Sequence, residues 1–308
     1  MSGRLANLLI AGVPKAGTTS LFGYLAQHPD ICGSEPKEIG YFNHFSPLSK
    51  PKRPLPPIEE YKAHFAHCTG QRYALEGTPS YAYGGPAVVD AIRELLGSPK
   101  VIITLRNPTD RLWSAYTFQR SLGNITGIRS FDEYLDACEQ RRRDGTDREE
   151  TSRLQGLAIG FYAEYISAWL DAFGEDIRVV FAEEMAREPE RVLSELFTWL
   201  GIDAGYVSQL DMGARNVTVH ARNPMAASVV YSLKRAGDRL RILPPALRNP
   251  LRRAYLRMNS GSPPERLDAA TRRRVDAIYE PSSRATAEAL TAHGYRELPA
   301  WLQGSTVG

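Results

Sequence analysis

Residues 8–25 read LLIAGVPKAGTTSLFGYL, and this stretch decides the fold. Residues 8–11 form a short apolar run, which is typical of a buried parallel strand. Two glycines, Gly12 and Gly17, enclose the turn that follows, and residues 18–27 show the apolar spacing of a helix. The stretch therefore predicts a strand, a glycine-bounded loop and a helix in direct succession.

Outward from this unit, strand-like runs alternate with helical patterns. The sequence predicts three further strands, at 73–75, 100–106 and 177–181. It predicts helices at 86–96, 108–122, 159–173 and 189–200, and two polar helices at about 267–279 and 282–293. Because such alternation favours a parallel sheet covered on both faces, we expect an α/β fold. It would be a P-loop-like domain with a central parallel β-sheet flanked by helices and a helical C-terminal part.

The composition is that of an ordinary globular protein. Of 308 residues, 43% are hydrophobic and 24% are charged, which argues against a disordered or fibrous chain. Three widely spaced cysteines without a CxxC pair predict neither a disulfide framework nor a zinc site. No apolar run approaches the roughly 20 residues that span a membrane, and no signal-peptide core follows Met1. The expected location is the cytoplasm, and the sequence leaves the oligomeric state undetermined.

The positive charge is concentrated in one part of the chain. One domain is expected over residues 1–308, with its core at about 5–202 and a basic helical part at about 203–308. Residues 215–257 contain ten basic residues and one acidic residue, a net charge of +9, whereas the whole chain has +3. This basic block suits an acidic acceptor or a membrane surface, and a plain solvated face is the alternative. Since basic and aromatic residues are not interleaved, no nucleic-acid partner is expected.

The loop after the first strand has the features of an anion-binding loop. Gly12-x4-Gly17-Thr18-Thr19 nearly matches the nucleotide-binding pattern GxxxxGK followed by Ser or Thr. Its glycines allow backbone N–H groups to face an anion, and the N-terminus of the next helix adds partial positive charge. Lys15 lies inside the loop, whereas the pattern has its lysine after the second glycine. We predict a phosphate loop with a displaced lysine; a glycine-rich turn without a ligand is the alternative.

A second candidate anion site lies at the end of the strand at 100–106. A nucleotide hydrolase normally holds Mg²⁺ with an aspartate at a strand end, but this strand ends in Arg106. Arg111 and Ser114, spaced i, i+3, are expected on one face of the next helix, where both suit a phosphate. No metal site is predicted. The alternative is a helix N-terminus with ordinary solvent-facing polar residues.

Together these residues resemble the sulfotransferase family that uses 3′-phosphoadenosine-5′-phosphosulfate (PAPS). Residues 14–21, PKAGTTSL, resemble its 5′-phosphosulfate loop, and residues 106–116, RNPTDRLWSAY, resemble its 3′-phosphate site. Residues 37–42, KEIGYF, and 76–81, EGTPSY, are similar to segments of the heparan-sulfate-type branch. The resemblance covers about residues 8–200. The excess of arginine over lysine, 31 to 7, indicates a bacterial chain.

The resemblance implies in-line transfer of the sulfuryl group from PAPS to a hydroxyl, with an amine as second choice. The acceptor would be a small molecule, a sugar or a lipid; adenosine 3′,5′-bisphosphate would be released, and no metal would be needed. Lys15 would stabilise the leaving oxygen, Glu38 would act as base and Lys37 would contact the sulfate. The 5′-phosphate would be bound by Lys15, Ala16, Gly17, Thr18, Thr19 and Ser20. The 3′-phosphate would be bound by Arg106, Ser114 and Arg222.

Gly77 is the main departure from the heparan-sulfate-type branch, which usually has lysine there. Either the acceptor differs, or Lys37 compensates for the lost cation. Two other function classes stay open on the sequence alone. An atypical P-loop kinase or NTPase would need Mg²⁺ and ATP, and Thr18 in place of the usual lysine counts against it. A module built on the basic block to bind nucleic acid or membrane would have no use for two phosphate sites.

Overall fold

A parallel β-sheet forms the centre of the protein. The computed structural model describes residues 3–46, 54–125, 127–147, 153–213 and 267–303. These residues contain five strands: β1 Leu8–Gly12, β2 Ile31–Gly33, β3 Tyr73–Glu76, β4 Lys100–Leu105 and β5 Ile177–Phe181. All neighbours pair in parallel, in the order β2-β3-β1-β4-β5. The carboxyl ends of β3, β1 and β4 therefore lie side by side.

Helices connect and cover these strands. The first five are α1 Thr18–Leu25, α2 Ile58–Ala63, α3 Pro86–Leu96, α4 Pro108–Ser121 and α5 Phe131–Arg143. The next five described helices are α6 Gly156–Ile159, α7 Ile166–Phe173, α8 Ala182–Arg187, α9 Pro189–Leu200 and α10 Ala269–Ala292. Short 3₁₀ turns lie at Tyr41–Phe45, Tyr162–Glu164, Gly174–Asp176, Ala204–Gln209 and Ala300–Leu302. No described helix has both the length and the apolarity needed to cross a membrane.

The sheet is buried on both faces, as a parallel sheet requires. In β1, Leu9 and Ala11 belong to the apolar cluster that contains Trp169 of α7. The alternate residues Leu8 and Ile10 pack in a second cluster with residues of α1 and α9. Because successive side chains of a strand point to opposite faces, a continuous apolar run is needed to fill both layers. This arrangement confirms the expected α/β class with its helical C-terminal part.

Local sequence explains where the predicted helices begin and end. Proline occupies the first turn of α3, α4 and α9, where its missing N–H costs no hydrogen bond. Asn107 caps α4 by accepting a hydrogen bond from the backbone N–H of Asp110 at 3.1 Å. Gly201, with φ 65°, ends α9 in the left-handed conformation that glycine adopts readily. These signals are local, which is why the sequence predicts these elements well.

Two helix predictions are wrong in their boundaries. The helix predicted at 159–173 is interrupted between α6 and α7, because Tyr162 and Tyr165 turn inward and donate hydrogen bonds to backbone carbonyls at 2.7 Å. The two helices predicted beyond 267 are one helix, α10, which continues through Pro281. Buried residues on both sides of the proline, such as Tyr279 and Leu290, hold the helix against the domain. Packing here outweighs the helix-breaking tendency of proline.

A disulfide corrects the cysteine prediction. Cys32 of β2 and Cys68 of the segment after α2 are joined, with their Cα atoms 5.8 Å apart. They are separated by 36 residues in sequence, and β2 was not predicted, so nothing in the spacing indicated that they are neighbours. Cys138 is buried and has a free thiol. Because Cys32 lies just before the loop at 34–46, the disulfide fixes the chain where that loop begins.

Candidate active site

The phosphate loop leaves the carboxyl end of β1 and is fastened to β4. The backbone N–H of Val13 donates to the carbonyl of Thr104 at 2.9 Å, and the Thr104 hydroxyl donates to the carbonyl of Gly12 at 2.9 Å. Only glycine fits at position 12, since a Cβ atom would lie 2.2 Å from the Cβ of Ala82. At Gly17, by contrast, φ is 85° and a Cβ would meet nothing within 4 Å. The loop is rigid at its base and open at its tip.

Lys15 is the central cation of this loop. Its backbone adopts φ 72°, and its ammonium lies 4.2 Å from the centroid of the Phe118 ring. Burial, together with the positive charges of Arg106 and Arg111, lowers the pKa of Lys15 to about 8. A group of like charges around a half-buried ammonium favours the binding of an anion, which would relieve their repulsion.

The second candidate site lies beside the first, because β1 and β4 are adjacent. Arg106 follows β4 and donates from Nη1 to the carbonyl of Lys15 at 3.2 Å. Its own carbonyl accepts a hydrogen bond from the Tyr162 hydroxyl at 2.7 Å. Ser114 is half-buried on α4. The structure therefore brings Lys15 and Arg106 together, as the two motifs predicted.

Arg111 was expected with Ser114 on one helix face that suits a phosphate, but it is not accessible to a ligand. Its side chain is fully buried, and Nη2 donates to the carbonyl of Gly156. This side of α4 packs inward against α6, and helical spacing carries no information about such burial. Among the described residues, Nε and Nη1 of Arg111 have no hydrogen-bond partner. Its positive charge helps to lower the pKa of Lys15.

Residues 34–46 form the acceptor-side loop, which lies across the phosphate loop. Lys37 forms an ion pair with Glu38, Nζ to Oε1 at 3.1 Å, and its Nζ is 3.5 Å from the Thr18 hydroxyl. Burial lowers the pKa of Lys37, and the ion pair with Glu38 acts in the opposite direction. The Glu38 side chain is 58% exposed, so it is accessible to a molecule arriving from solvent.

Gly77 makes room for Lys37. A Cβ atom at position 77 would lie 3.0 Å from Cε of Lys37 and 2.9 Å from the ring of Phe22. The backbone N–H of Gly77 also donates to the carbonyl of Lys37 at 3.1 Å. The Lys37 side chain therefore occupies the space that a larger residue at position 77 would need.

The remaining predicted residues fall into two groups. Ala16 and Thr18 are buried, Gly17 and Thr19 are exposed, and Ser20 is intermediate, all at the start of α1. Arg222 and the basic block lie outside the described residues. His28 is buried after α1, where Nδ1 accepts from the backbone N–H of Asp30 at 3.1 Å.

The sequence did not indicate that Phe118, one helical turn beyond Ser114, would contact the Lys15 ammonium with its ring. Helical spacing could have found it, since i, i+4 residues share a face. Sequence reasoning also missed Glu76 as a buried polar centre beneath the acceptor-side loop. A single acidic residue at a strand end gave no signal of burial.

The geometry defines a P-loop-like protein with a candidate anion-binding site at the carboxyl edge of a parallel sheet, the usual ligand site of open α/β folds. At the end of β4 this site has a cation where a metal-dependent nucleotide hydrolase has a carboxylate. The family model of the sulfotransferase domain matches residues 5–219. The chain belongs to the sulfotransferase family, as the resemblance of its motifs indicated.

Two curated relatives are similar over most of the described core. Membrane-associated sulfotransferase kil1 of Dictyostelium discoideum is 26% identical over 292 residues, covering 70% of this chain and 60% of the relative. Bifunctional heparan sulfate N-deacetylase/N-sulfotransferase 1 of Caenorhabditis briggsae is 29% identical over 205 residues, covering 64% of this chain and 23% of that protein. The second match confirms the resemblance to the heparan-sulfate-type branch. The chain spans less than two thirds of the length of either relative.

A solved structure shares the fold. A sulfotransferase from Alicyclobacillus acidocaldarius superposes with a TM-score of 0.68 at 24% identity, covering 97% of this chain and 99% of that one. The arrangement of sheet and helices described above is therefore that of a bacterial sulfotransferase fold.

Proposed function

We propose that the chain transfers the sulfuryl group of PAPS to a hydroxyl of a small-molecule, sugar or lipid acceptor. The observation that carries the proposal is the convergence of Lys15 and Arg106 at adjacent strand ends, with Lys37 reaching the same loop. A donor with phosphate at both its 3′ and 5′ positions needs two separate cationic sites, which ATP does not. Family membership supports the same donor.

The donor would lie along the carboxyl edge of the sheet. The loop amides at Ala16 and Gly17 and the hydroxyls of Thr18, Thr19 and Ser20 suit the 5′-phosphate, beside the N-terminus of α1. The guanidinium of Arg106 and the hydroxyl of Ser114 suit the 3′-phosphate. Arg222 is proposed as a further ligand of the 3′-phosphate on the resemblance alone.

Transfer would proceed by in-line displacement. The acceptor oxygen forms a bond to sulfur, the bond between sulfur and the bridging oxygen of the 5′-phosphate breaks, and Glu38 takes the acceptor's proton. Charge grows on the leaving oxygen, so a cation placed there stabilises the transition state more than the ground state. Lys15 would take that role, and the sulfated acceptor and adenosine 3′,5′-bisphosphate would leave as products. No step requires a metal ion.

Lys37 would replace the cation that Gly77 lacks. Its ammonium reaches Thr18 of the phosphate loop from the acceptor side, and its stem lies over Gly77. A cation is thus supplied by a neighbouring loop in place of the strand end. The site then has one cation fewer than the heparan-sulfate-type branch, and the wall that the acceptor meets is altered.

The acceptor class follows from the relatives and the charge of the chain. The nematode relative is named for heparan sulfate, which favours a carbohydrate acceptor here. The basic block at 215–257 is proposed to contact an acidic acceptor or a membrane surface, and the name of the Dictyostelium relative fits the second of these. A kinase or NTPase function gains no support, since the family model is that of sulfotransferases.

The first experiment compares ligands by thermal shift. Adenosine 3′,5′-bisphosphate should raise the melting temperature, because a ligand at 100 times its Kd stabilises by about 2.7 kcal/mol. ATP with Mg²⁺ should shift it much less. A clear shift with ATP and Mg²⁺ and none with the bisphosphate would refute the proposal.

The second experiment tests Glu38 with Glu38→Gln. General-base catalysis contributes roughly 10²- to 10⁴-fold, so turnover of ³⁵S-labelled PAPS with a panel of sugars should fall by that order. Affinity for adenosine 3′,5′-bisphosphate should stay within about twofold, because Glu38 lies on the acceptor side. A variant of near-normal rate would remove Glu38 as the base.

The cellular compartment stays a prediction. The cytoplasm is proposed on the sequence, but the Cys32–Cys68 disulfide is of a kind that persists mainly in oxidising compartments. Thiol labelling of the chain directly after cell lysis distinguishes the two. Because Cys138 is buried, the labelling is done in denaturant after acid quenching. Labelling of Cys138 alone would indicate that the disulfide exists in the cell, and labelling of all three cysteines would support the cytoplasm.

A further inference from the structure

Glu76 is a buried acidic residue for which the proposed transfer step has no use. It ends β3 with no exposed surface and accepts hydrogen bonds from three hydroxyl groups. Tyr61 donates to Oε2 at 2.7 Å, while Thr78 and Tyr81 donate to Oε1 at 2.7 and 2.5 Å. A buried carboxylate is costly unless its oxygens are bonded in this way. An apolar side chain would fill this space at lower cost, so we expect a role that requires the carboxylate itself.

Two of these hydroxyls connect Glu76 to the acceptor-side loop. The backbone N–H of Gly40 donates to the Thr78 hydroxyl at 3.1 Å, and the backbone N–H of Phe42 donates to the Tyr81 hydroxyl at 3.3 Å. Tyr61, which supplies the third hydroxyl, contacts the loop through its ring, whose centroid is 5.2 Å from that of Tyr41 and 5.7 Å from that of Phe42. Thr78 and Tyr81 therefore act as relays, and Tyr61 does not.

The charge of Glu76 sets the direction of these hydrogen bonds. A carboxylate has no proton to donate, so each hydroxyl donates its only proton to Glu76. The hydroxyl oxygen can then only accept a hydrogen bond, and in Thr78 and Tyr81 it accepts one from a backbone N–H of the loop. An amide at position 76 would present an N–H to one hydroxyl and leave that hydroxyl's own proton without an acceptor. Burial raises the pKa of Glu76, while the donors Tyr81, Thr78 and Tyr61 oppose that rise.

We propose that Glu76 is a positioning residue for sulfuryl transfer. Through Thr78 and Tyr81 it holds the backbone at Gly40 and Phe42, and so sets Lys37 and Glu38 against the phosphate loop. The inference rests on the proposed function for its catalytic consequence. The hold on the loop itself is a property of the fold and is measurable without any substrate.

The variants Tyr81→Phe and Tyr61→Phe form a matched pair. Each removes one hydroxyl that donates to Glu76, but only Tyr81 passes a hydrogen bond on to the loop. Hydrogen exchange measured by mass spectrometry should show the amides within 37–45 exchanging about tenfold faster in Tyr81→Phe and Glu76→Gln than in wild type. Tyr61→Phe should leave them close to wild type. Equal exchange in the two Tyr→Phe variants would overturn the proposal.

Activity provides the second measurement, as release of adenosine 3′,5′-bisphosphate from PAPS with the same panel of sugars as acceptors. Glu76→Gln should lower kcat about 10- to 100-fold, the order expected when reacting groups are misplaced by about 1 Å. Affinity for the bisphosphate should change less than about twofold. Thr78→Ser, which keeps the hydroxyl, should retain activity, and Thr78→Ala should not. Full activity in Thr78→Ala and Tyr81→Phe would overturn the inference even if Glu76→Gln fails to fold.

The two proposals fail in different ways. If the wild-type chain neither binds the bisphosphate nor releases it from PAPS, the proposed function is wrong, and the exchange data still decide whether Glu76 holds the loop. If the wild type is active but Glu76→Gln and Tyr81→Phe match it in kcat, the positioning role is wrong.

Discussion

The phosphate loop and the acceptor-side loop meet at Thr18, yet different parts of the fold hold them in place. The phosphate loop is fastened by a backbone hydrogen bond from Val13 to Thr104, and by side-chain hydrogen bonds from Thr104 and Arg106 to the carbonyls of Gly12 and Lys15. In the acceptor-side loop, two backbone amides donate to the buried hydroxyls of Thr78 and Tyr81, and both hydroxyls bond to Glu76. The supports of these amides therefore converge on one buried carboxylate, whereas those of the phosphate loop lie along the end of β4.

This difference has a consequence for how the two loops respond to change. A substitution of Lys15 should alter charge while leaving the hydrogen bonds of the loop intact, because Lys15 takes part in them only through its backbone carbonyl. A substitution beneath the acceptor-side loop should alter geometry while leaving the charges of the site intact. The predictions below test that distinction, beginning with the largest expected effect.

Lys15→Met should lower kcat/KM for PAPS by about 10²- to 10³-fold, the range seen when one group that stabilises developing charge is lost. Methionine keeps most of the apolar stem and removes the ammonium that lies over the Phe118 ring. Since the lysine is held near Arg106 and Arg111, its removal relieves repulsion, and the melting temperature should not fall. Steady-state kinetics and a thermal melt measure both. A decrease in kcat/KM of less than about tenfold would show that Lys15 does not stabilise the leaving oxygen.

Arg106→Ala should weaken binding of adenosine 3′,5′-bisphosphate about 10- to 100-fold, since it removes a charge-assisted contact to phosphate. Binding of adenosine 5′-phosphate, which lacks the 3′-phosphate, should change by less than threefold. Calorimetric titration of both ligands gives the comparison. Equal losses for the two would show that Arg106 acts on the loop through the Lys15 carbonyl and not on the 3′-phosphate.

Lys37→Ala should lower kcat about tenfold, and Lys37→Ala combined with Gly77→Lys should recover most of that loss. Lys37→Ala empties the space over Gly77, and Gly77→Lys then places a cation there from the end of β3. Gly77→Lys alone should be impaired, because its Cβ would lie 3.0 Å from Cε of Lys37. Additive losses in the double variant would contradict compensation by Lys37.

Affinity for adenosine 3′,5′-bisphosphate should fall by up to about tenfold between pH 7 and pH 9. The free site has Lys15 with a pKa of about 8, and a bound anion favours its charged form. Below pH 8 the ammonium is already protonated, so binding takes up few protons; above it, each binding event must take one up, and affinity declines. Titration in buffers of different ionisation enthalpy detects that proton, and Lys15→Met should abolish it.

The sequence predicted the donor side better than the acceptor side, for a physical reason. Strand, glycine loop and helix are contiguous in residues 8–25, and Arg106 follows a strand with a clear β-branched pattern. Local signals therefore locate both cations, and parallel pairing of β1 with β4 brings them together. Whether these residues bind donor phosphates as proposed stays a prediction.

What the sequence could not predict depends on contacts between distant segments. The disulfide joins residues 36 positions apart, and Arg111 is buried by α6, which lies 45 residues further along the chain. Glu76 gathers hydroxyls from α2 and from the turn after β3, and no periodicity in either segment marks them. Tertiary packing determines whether a carboxylate or a guanidinium is buried, and hydrophobic periodicity within a short window of sequence does not report that packing.

The strand order also determines which parts of this protein can be exchanged as a unit. Along the sheet edge, β4 leads to Arg106, β1 to Lys15, and β3 to the supports of the acceptor-side loop. Grafting residues 34–46 from a relative with another acceptor would separate the loop from the hydroxyls of Thr78 and Tyr81. A graft that carries residues 76–81 along with it would keep the pairing and leave β1 and β4 native. We therefore expect that a graft intended to change the acceptor must exchange both segments, 34–46 and 76–81, together.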